Sequence, residues 1–154
     1  MKEQNSIPVS KVERSAKFVT TGAKVGMNYL KHYSKKLVNP NHSREELNKN
    51  NAEDIYNALS ELKGSALKIA QMLSMDKNVL PQAYLDKFSL SQYSAPPLSG
   101  PLIVRTFTKY FGKTPDQIYD TFNIKSSHAA SIGQVHQASK HGKRLAIKIQ
   151  YPVT

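Results

Sequence analysis

The densest chemistry in the chain lies near its C-terminal end. The run Ala129-Ala130-Ser131-Ile132-Gly133 leads into Gln134-Val135-His136, and Leu145-Ala146-Ile147-Lys148 follows, with Lys148 thirteen residues after Val135. Small side chains let backbone N–H groups approach phosphate oxygens. A lysine fixed on the neighbouring strand would present a point charge to the same phosphates. Between the two β-rich runs, 132–138 and 145–151, stands His141-Gly142, a dipeptide suited to a tight hairpin turn. A lone Gly-x-Val or Ala-Ile-Lys would be an ordinary hairpin carrying a surface lysine. Their order and spacing together point to phosphate binding.

The pattern can be set beside the protein-kinase phosphate loop, G-x-G-x-x-G-x-V, which precedes a V-A-I-K strand. Val135 takes the valine position and Gly133 the third glycine; Ala130 and His128 stand where the second and first belong. Alanine disfavours φ > 0, so this loop is expected to be stiffer than a glycine-rich one.

A second group of residues sits on a helix read over 51–76. Ile55, Leu59, Leu62, Ala66, Ile69, Ala70 and Leu73 form its apolar stripe. Ser60, Gly64, Lys68, Gln71 and Met75 fall on the opposite side, and Lys68 and Gln71, at i and i+3, can point together. A mid-helix glycine costs about 1 kcal/mol relative to alanine, so a close neighbour over Gly64 is expected. From spacing alone, a solvated polar face remains the plainer reading.

These residues need elements to hold them. Residues 9–38 read as a basic amphipathic helix with Val12, Ala16, Val19, Ala23, Met27, Leu30 and Leu37 at helical spacing and Lys17, Lys24, Lys31 and Lys35 alongside. The favoured expectation is packing on its own domain with the lysines in solvent; the alternative is a helix lying on an anionic membrane. Residues 39–50 read as a polar linker in which Ser43 and Glu46 resemble a capping box. Residues 81–122 read as two or three short helices, one opened by Pro115.

The whole chain carries 22 Lys and Arg against 11 Asp and Glu, a net charge of +11, which suits an anionic partner. No aromatic-interleaved platform supports nucleic acid. There is no cysteine, so disulfides and thiolate metal sites are excluded. The five histidines, His32, His42, His128, His136 and His141, are read as non-ligands. No apolar run approaches the roughly 20 residues of a membrane span, and Met1–Ser10 has no apolar core of a secretory signal. The expected location is cytoplasmic, with peripheral membrane attachment as a variant.

Three motifs carry a family resemblance: L-K-G-S-A-L-K-I-A-Q-M-L-S at 62–74, A-A-S-I-G-Q-V-H at 129–136, and L-A-I-K-I-Q-Y-P at 145–152. In content, order and placement they resemble the UbiB/AarF family of atypical protein-kinase-like proteins, over about residues 50–152. The family's K-x-G-Q motif reads Lys68-Ile69-Ala70-Gln71 here, with alanine in the glycine place. Its alanine-rich nucleotide loop is matched by Ala129, Ala130 and Ser131, with His128 replacing a first alanine. The resemblance implies nucleotide binding by Ala129, Ala130, Ser131, Gly133, Val135 and Lys148, with Lys68 and Gln71 reaching the same cavity. The expected fold is α+β in three parts: a basic helix and linker read from the residue pattern (1–50), then, as the resemblance implies, a helical extension (51–120) and an incomplete antiparallel kinase N-lobe sheet (121–154). The resemblance also implies ATP and Mg²⁺, ATPase or kinase-like activity, and a link to isoprenoid-quinone (ubiquinone) biosynthesis at a membrane. Phosphoryl transfer further needs a positioning Asp, metal-binding Asn and Asp, and a Glu partner for the strand lysine. Such groups follow the A-I-K strand, and only Ile149–Thr154 follow it here. The chain is therefore expected to be an N-terminal piece with no catalytic or metal-ligating residues of its own, and to present its last strand as a sheet edge prone to self-association.

Overall fold

The computed structural model describes residues 3–93 and 95–151; Lys2 of the basic segment and Pro152 of the last motif lie outside them. Among the described residues six helices precede and flank a small sheet: α1 Lys11–Val38, α2 Glu45–Leu62, α3 Gly64–Leu73, α4 Gln82–Tyr93, α5 Gly100–Phe111 and α6 Pro115–Ile118, then β1 Thr121–Phe122, β2 His128–Ala129, β3 Gly133–Lys140 and β4 Lys143–Gln150. The α+β expectation holds, and the sheet is antiparallel throughout. β3 is its spine: β4 pairs along one edge, β1 and β2 along the other.

Two cores hold the layers. Tyr56, Leu67, Ala70, Phe88 and Ala95 join α2, α3 and α4. Leu98, Ile103, Phe107, Ile149 and Tyr151 join α5 to one face of the sheet. The two-residue period of the strands explains the sidedness. On β3, Gln134, His136 and Ala138 turn inward, opposite Ile149, Ile147 and Leu145 of β4. Val135 and Gln137 face the other way, opposite Lys148 and Ala146. The hairpin turn lies at His141 and Gly142, both with positive φ (52° and 74°), as the dipeptide demands. Gly133 is required by closeness: a Cβ there would stand 2.6 Å from the Ile149 carbonyl oxygen.

The single helix expected over 51–76 is two helices. The chain breaks at Lys63, which has φ 57° and ψ −166° and lies between α2 and α3. Gly64 is thus the first residue of α3, with φ +50° and nothing within 4 Å of a would-be Cβ, so backbone freedom and not a close neighbour accounts for it. Lys63 holds the break from inside. Only 2 % exposed, it donates from Nζ to the Pro96 carbonyl and places Nζ 4.8 Å from the Tyr151 ring centroid. Burial lowers its pKa to about 8, while the carbonyl and the ring face favour the cation. The break also shifts the polar face: Ser60 is buried and Ile69 is exposed, the reverse of the 51–76 wheel, while Ala70 is fully buried as expected.

α1 forms where expected, capped by Ser10, whose Oγ accepts from the Glu13 N–H while Glu13 accepts from the Ser10 N–H. Its packing is inverted. Arg14, Lys17, Asn28, His32 and Lys35 face α2: Arg14 reaches the Leu62 carbonyl, Lys17 pairs with Glu61, Asn28 donates to Asn51 and Asp54, and Lys35 pairs with Glu46 at 2.7 Å. Val12, Val19, Leu30 and Leu37 lie roughly 180° away at 100° per residue and are 65–87 % exposed. The expected burial of the apolar stripe is therefore corrected; the helix packs on its domain through its polar face. α2 begins at Glu45, inside the segment read as linker. Its N-cap is Arg44 with no side-chain cap, so the Ser43–Glu46 box does not form. Glu46 is held instead by Lys35.

These placements predict opposite outcomes for three substitutions in denaturant melts. Gly133→Ala lowers stability by about 1–3 kcal/mol, because the methyl meets strand backbone. Lys63→Ala lowers it by about 2 kcal/mol or more, because the partly buried Pro96 carbonyl loses its donor and the space filled by the buried Lys63 side chain is emptied. Gly26→Ala, on exposed helix with open space around it, raises stability by roughly 0.5–1 kcal/mol. The folded-state pKa of Lys63 lies below the ordinary lysine value, so this group adds stability as pH rises above 8 toward about 10.4.

Candidate functional site

The segment from Ala129 to Gly133 is a tight loop between β2 and β3, and nearly every carbonyl in it is held. Ala129 accepts from the Ala95 N–H (3.1 Å), Ser131 from Gly64 (2.9 Å), Ile132 from Tyr151 (3.1 Å) and Gly133 from Ala130 (2.9 Å). The donors come from the α4–α5 connection, the start of α3, the end of β4 and the loop itself. The N–H groups of Ser131 and Ile132 have no acceptor among the described residues. A loop fastened by its carbonyls, with adjacent N–H groups unpaired, is an arrangement suited to an anion.

The strands fix what lies beside it. His128 pairs with Val135, and Val135 with Lys148, so these three form one row across the sheet face that α5 leaves uncovered. Lys148 is exposed, and its strand passes Gly133 at Gln150. The structure thus brings together Ala129, Ala130, Ser131, Gly133, Val135 and Lys148. His128, larger than the residue it replaces in the family pattern, stands in the same row and is exposed.

The helical residues divide. α3 meets the loop through the Gly64–Ser131 hydrogen bond, which sets the positive end of its dipole beside the loop. Lys68 is exposed one turn further on and makes no ion pair among the described residues. Gln71 is not free to reach the loop: its amide donates to the Ser91 carbonyl of α4 at 2.6 Å. Lys68 and Gln71 thus differ in their surroundings: the Gln71 amide is engaged by α4, and the Lys68 side chain is exposed.

Two features escape the motif reading. One is Lys63. The other is a buried polar chain beneath the loop: the Leu98 N–H donates to Gln134 Oε1 (2.7 Å), Gln134 Nε2 meets His136 Nε2 (2.8 Å), and His136 Nδ1 meets the Asn123 carbonyl (2.9 Å). The sequence signal was present: polar residues at alternate positions of a strand whose other face carries Val135. Glu46, four residues after His42, was also overlooked as an acid near a histidine; its Oε2 lies 3.7 Å from His42 Nε2. Lys35 already holds that carboxylate, and no metal-binding group of three or more His, Asp or Glu occurs among the described residues.

Comparison with known proteins agrees with the motif placement. The profile of the ABC1 atypical kinase-like domain matches residues 90–154. The chain is 32 % identical over 155 residues to the mitochondrial atypical kinase COQ8 of Saccharomyces cerevisiae, covering 97 % of this chain and 31 % of that protein. It is 32 % identical over 156 residues to the mitochondrial atypical kinase COQ8B of Rattus norvegicus, covering 97 % of this chain and 30 % of that protein. It is 29 % identical over 158 residues to the probable serine/threonine-protein kinase abkA of Dictyostelium discoideum, covering 96 % and 28 %. The chain therefore spans about a third of the length of these relatives. With the A-A-S-I-G-Q-V-H loop, the A-I-K strand and the K-x-A-Q helix joined in one sheet-and-helix unit, the chain belongs to the ABC1 (UbiB/AarF) family of atypical kinase-like proteins.

Proposed function

We propose that this chain supplies the phosphate-gripping part of an ATP site in an atypical kinase-like protein linked to isoprenoid-quinone (ubiquinone) biosynthesis. The observation that carries the reading is the row His128–Val135–Lys148 beside a loop in which the Ala129, Ser131, Ile132 and Gly133 carbonyls are engaged, while the Ser131 and Ile132 N–H groups have no acceptor among the described residues. Those two N–H groups would donate to phosphate oxygens, and Lys148 would add a positive charge on the same face. Val135 and Ala146 lie on that face and would offer apolar contact to the base. Mg²⁺ would arrive bound to the phosphates, where it neutralises their charge. Gln71 acts by fixing α3 on α4, and Lys68 is the residue of that helix free to approach a nucleotide.

Titrating ¹⁵N-labelled chain with ATP and Mg²⁺ tests this. The Ser131 and Ile132 amides should shift, and Lys148→Ala should weaken the response by about tenfold or more, roughly 1.4 kcal/mol. Because Lys148 is exposed, the same substitution should change stability by no more than about 0.5 kcal/mol. Loop amides that stay unmoved at millimolar ATP, or an affinity indifferent to Lys148→Ala, would exclude the assignment.

A second reading concerns α1 and is favoured by its inverted packing. Val12, Val19, Leu30 and Leu37 face outward, with Lys11, Lys24, Lys31 and Lys36 exposed at their flanks. Among the described residues no helix is long and apolar enough to cross a membrane. An apolar face with a cationic rim suits an anionic bilayer surface. Sedimentation with vesicles should show more binding to anionic than to neutral lipid, and Leu30→Glu with Leu37→Glu should remove it. Equal pelleting with both lipids rejects charge-assisted docking.

A further inference from the structure

The buried chain under the loop has a fixed direction. One end is the Leu98 N–H, which can only donate; the other is the Asn123 carbonyl, which can only accept. Gln134 must therefore turn Oε1 to Leu98, which leaves its NH₂ facing His136 Nε2. That nitrogen must accept, so the imidazole proton must sit on Nδ1, where it donates to Asn123. One arrangement satisfies every group, and it holds His136 neutral. The ring is fully buried and stacked on Phe122 with centroids 5.1 Å apart.

A second proton has no place in this chain. It would appear on Nε2, facing the Gln134 NH₂. Flipping the amide would let Oε1 accept from the imidazolium, but it would then set the NH₂ against the Leu98 N–H. Either way the Leu98–Gln134 bond is lost. That bond matters to the loop because Gln134 follows Gly133 directly, and Leu98 lies three residues from Ala95, whose N–H holds the Ala129 carbonyl.

We propose that Gln134 and His136 are positioning residues that seat the Ala129–Gly133 loop against the helical layer, and that they do so only while His136 is neutral. The inference does not depend on what the loop binds. Burial lowers the ring's pKa, the Asn123 carbonyl opposes this, and no charged group contributes. The elements packed against the ring present Ile147 from β4, Phe122 from β1, the Asn123 carbonyl, and Gln134 from its own strand. With the folded-state pKa below the ordinary value of about 6.5, the tie is complete above that pH and is lost as pH falls through the folded value.

His32 shifts in the same direction, by burial first and then by His42, Arg44 and Lys36, so overall acid sensitivity does not discriminate and a local reading is needed. The test is an NMR titration from pH 8 to 5 that follows the His136 ring and the Leu98 amide together. His136 should titrate below 6.5, and the Leu98 amide should lose its hydrogen-bond shift in step with it. His136→Gln, whose amide can accept from Gln134 and donate to Asn123 without titrating, should abolish the pH response at Leu98. Gln134→Glu should reverse the sign: a carboxylate accepts from both Leu98 and the imidazolium, so the His136 pKa should rise above 6.5. A Leu98 amide indifferent to His136 titration, a wild-type pKa at or above 6.5, or a pH response at Leu98 that persists in His136→Gln would overturn the proposal.

Discussion

The register of β3 on β4 is the constraint on which the site depends. Counting outward from the His141-Gly142 turn places Val135 opposite Lys148 and Gly133 opposite Gln150. A slip of one residue would move every side chain to the other face. Lys148 would then enter the α5 core, and Ile147 and Ile149 would leave it. Register is enforced from both ends: at the turn by two consecutive positive-φ residues, and at the loop by Gly133, whose missing side chain lets β3 meet the Ile149 carbonyl. The apolar cluster of Ile103, Phe107, Ile149 and Tyr151 holds the sheet to α5 in that setting.

The helical layer then determines the shape of the loop. Lys63 and Gly64 act from one joint. The Gly64 N–H takes the Ser131 carbonyl, and the Lys63 side chain meets Pro96 and Tyr151. Tyr151 in turn gives its N–H to Ile132. A loop rich in alanine gains less than a glycine loop from backbone freedom, so its conformation has to be imposed by neighbours. Three carbonyl contacts from neighbours and one within the loop do so, while the Ser131 and Ile132 N–H groups have no acceptor among the described residues. Burying a lysine is unfavourable in itself. Here its position between a carbonyl and a ring face offsets part of that and joins the two layers.

Much of this was legible in the residues. Alternating strand patterns around a turn dipeptide give a hairpin and therefore a register, and the order of the three motifs gives the family. Pro115 opens a helix as read, and Ala70 is buried as read. What was not legible depends on contacts distant in sequence. The periodicity of 51–76 is continuous across Lys63, and the break is stabilised by Ser131 and Pro96, which no local window contains. In α1 the period identified the helix, but not which face is buried. Ion pairs and hydrogen bonds from α2 draw in the polar face and leave the apolar one outside. Gln71 was expected at the loop because the family resemblance implies it, and the bond of its amide to the Ser91 carbonyl of α4 lies outside any local pattern.

The central claim is that Lys148 stands beside bound phosphate while the many other lysines do not. An acyl phosphate of ATP tests this directly, because a lysine held next to the phosphates takes the acyl group on Nζ and releases ATP. Peptide mapping after brief exposure should find Lys148 modified well above the lysines of α1, with free ATP suppressing that modification selectively. Labelling that follows surface exposure across the chain, or modification of Lys148 that ATP leaves unchanged, would contradict the account.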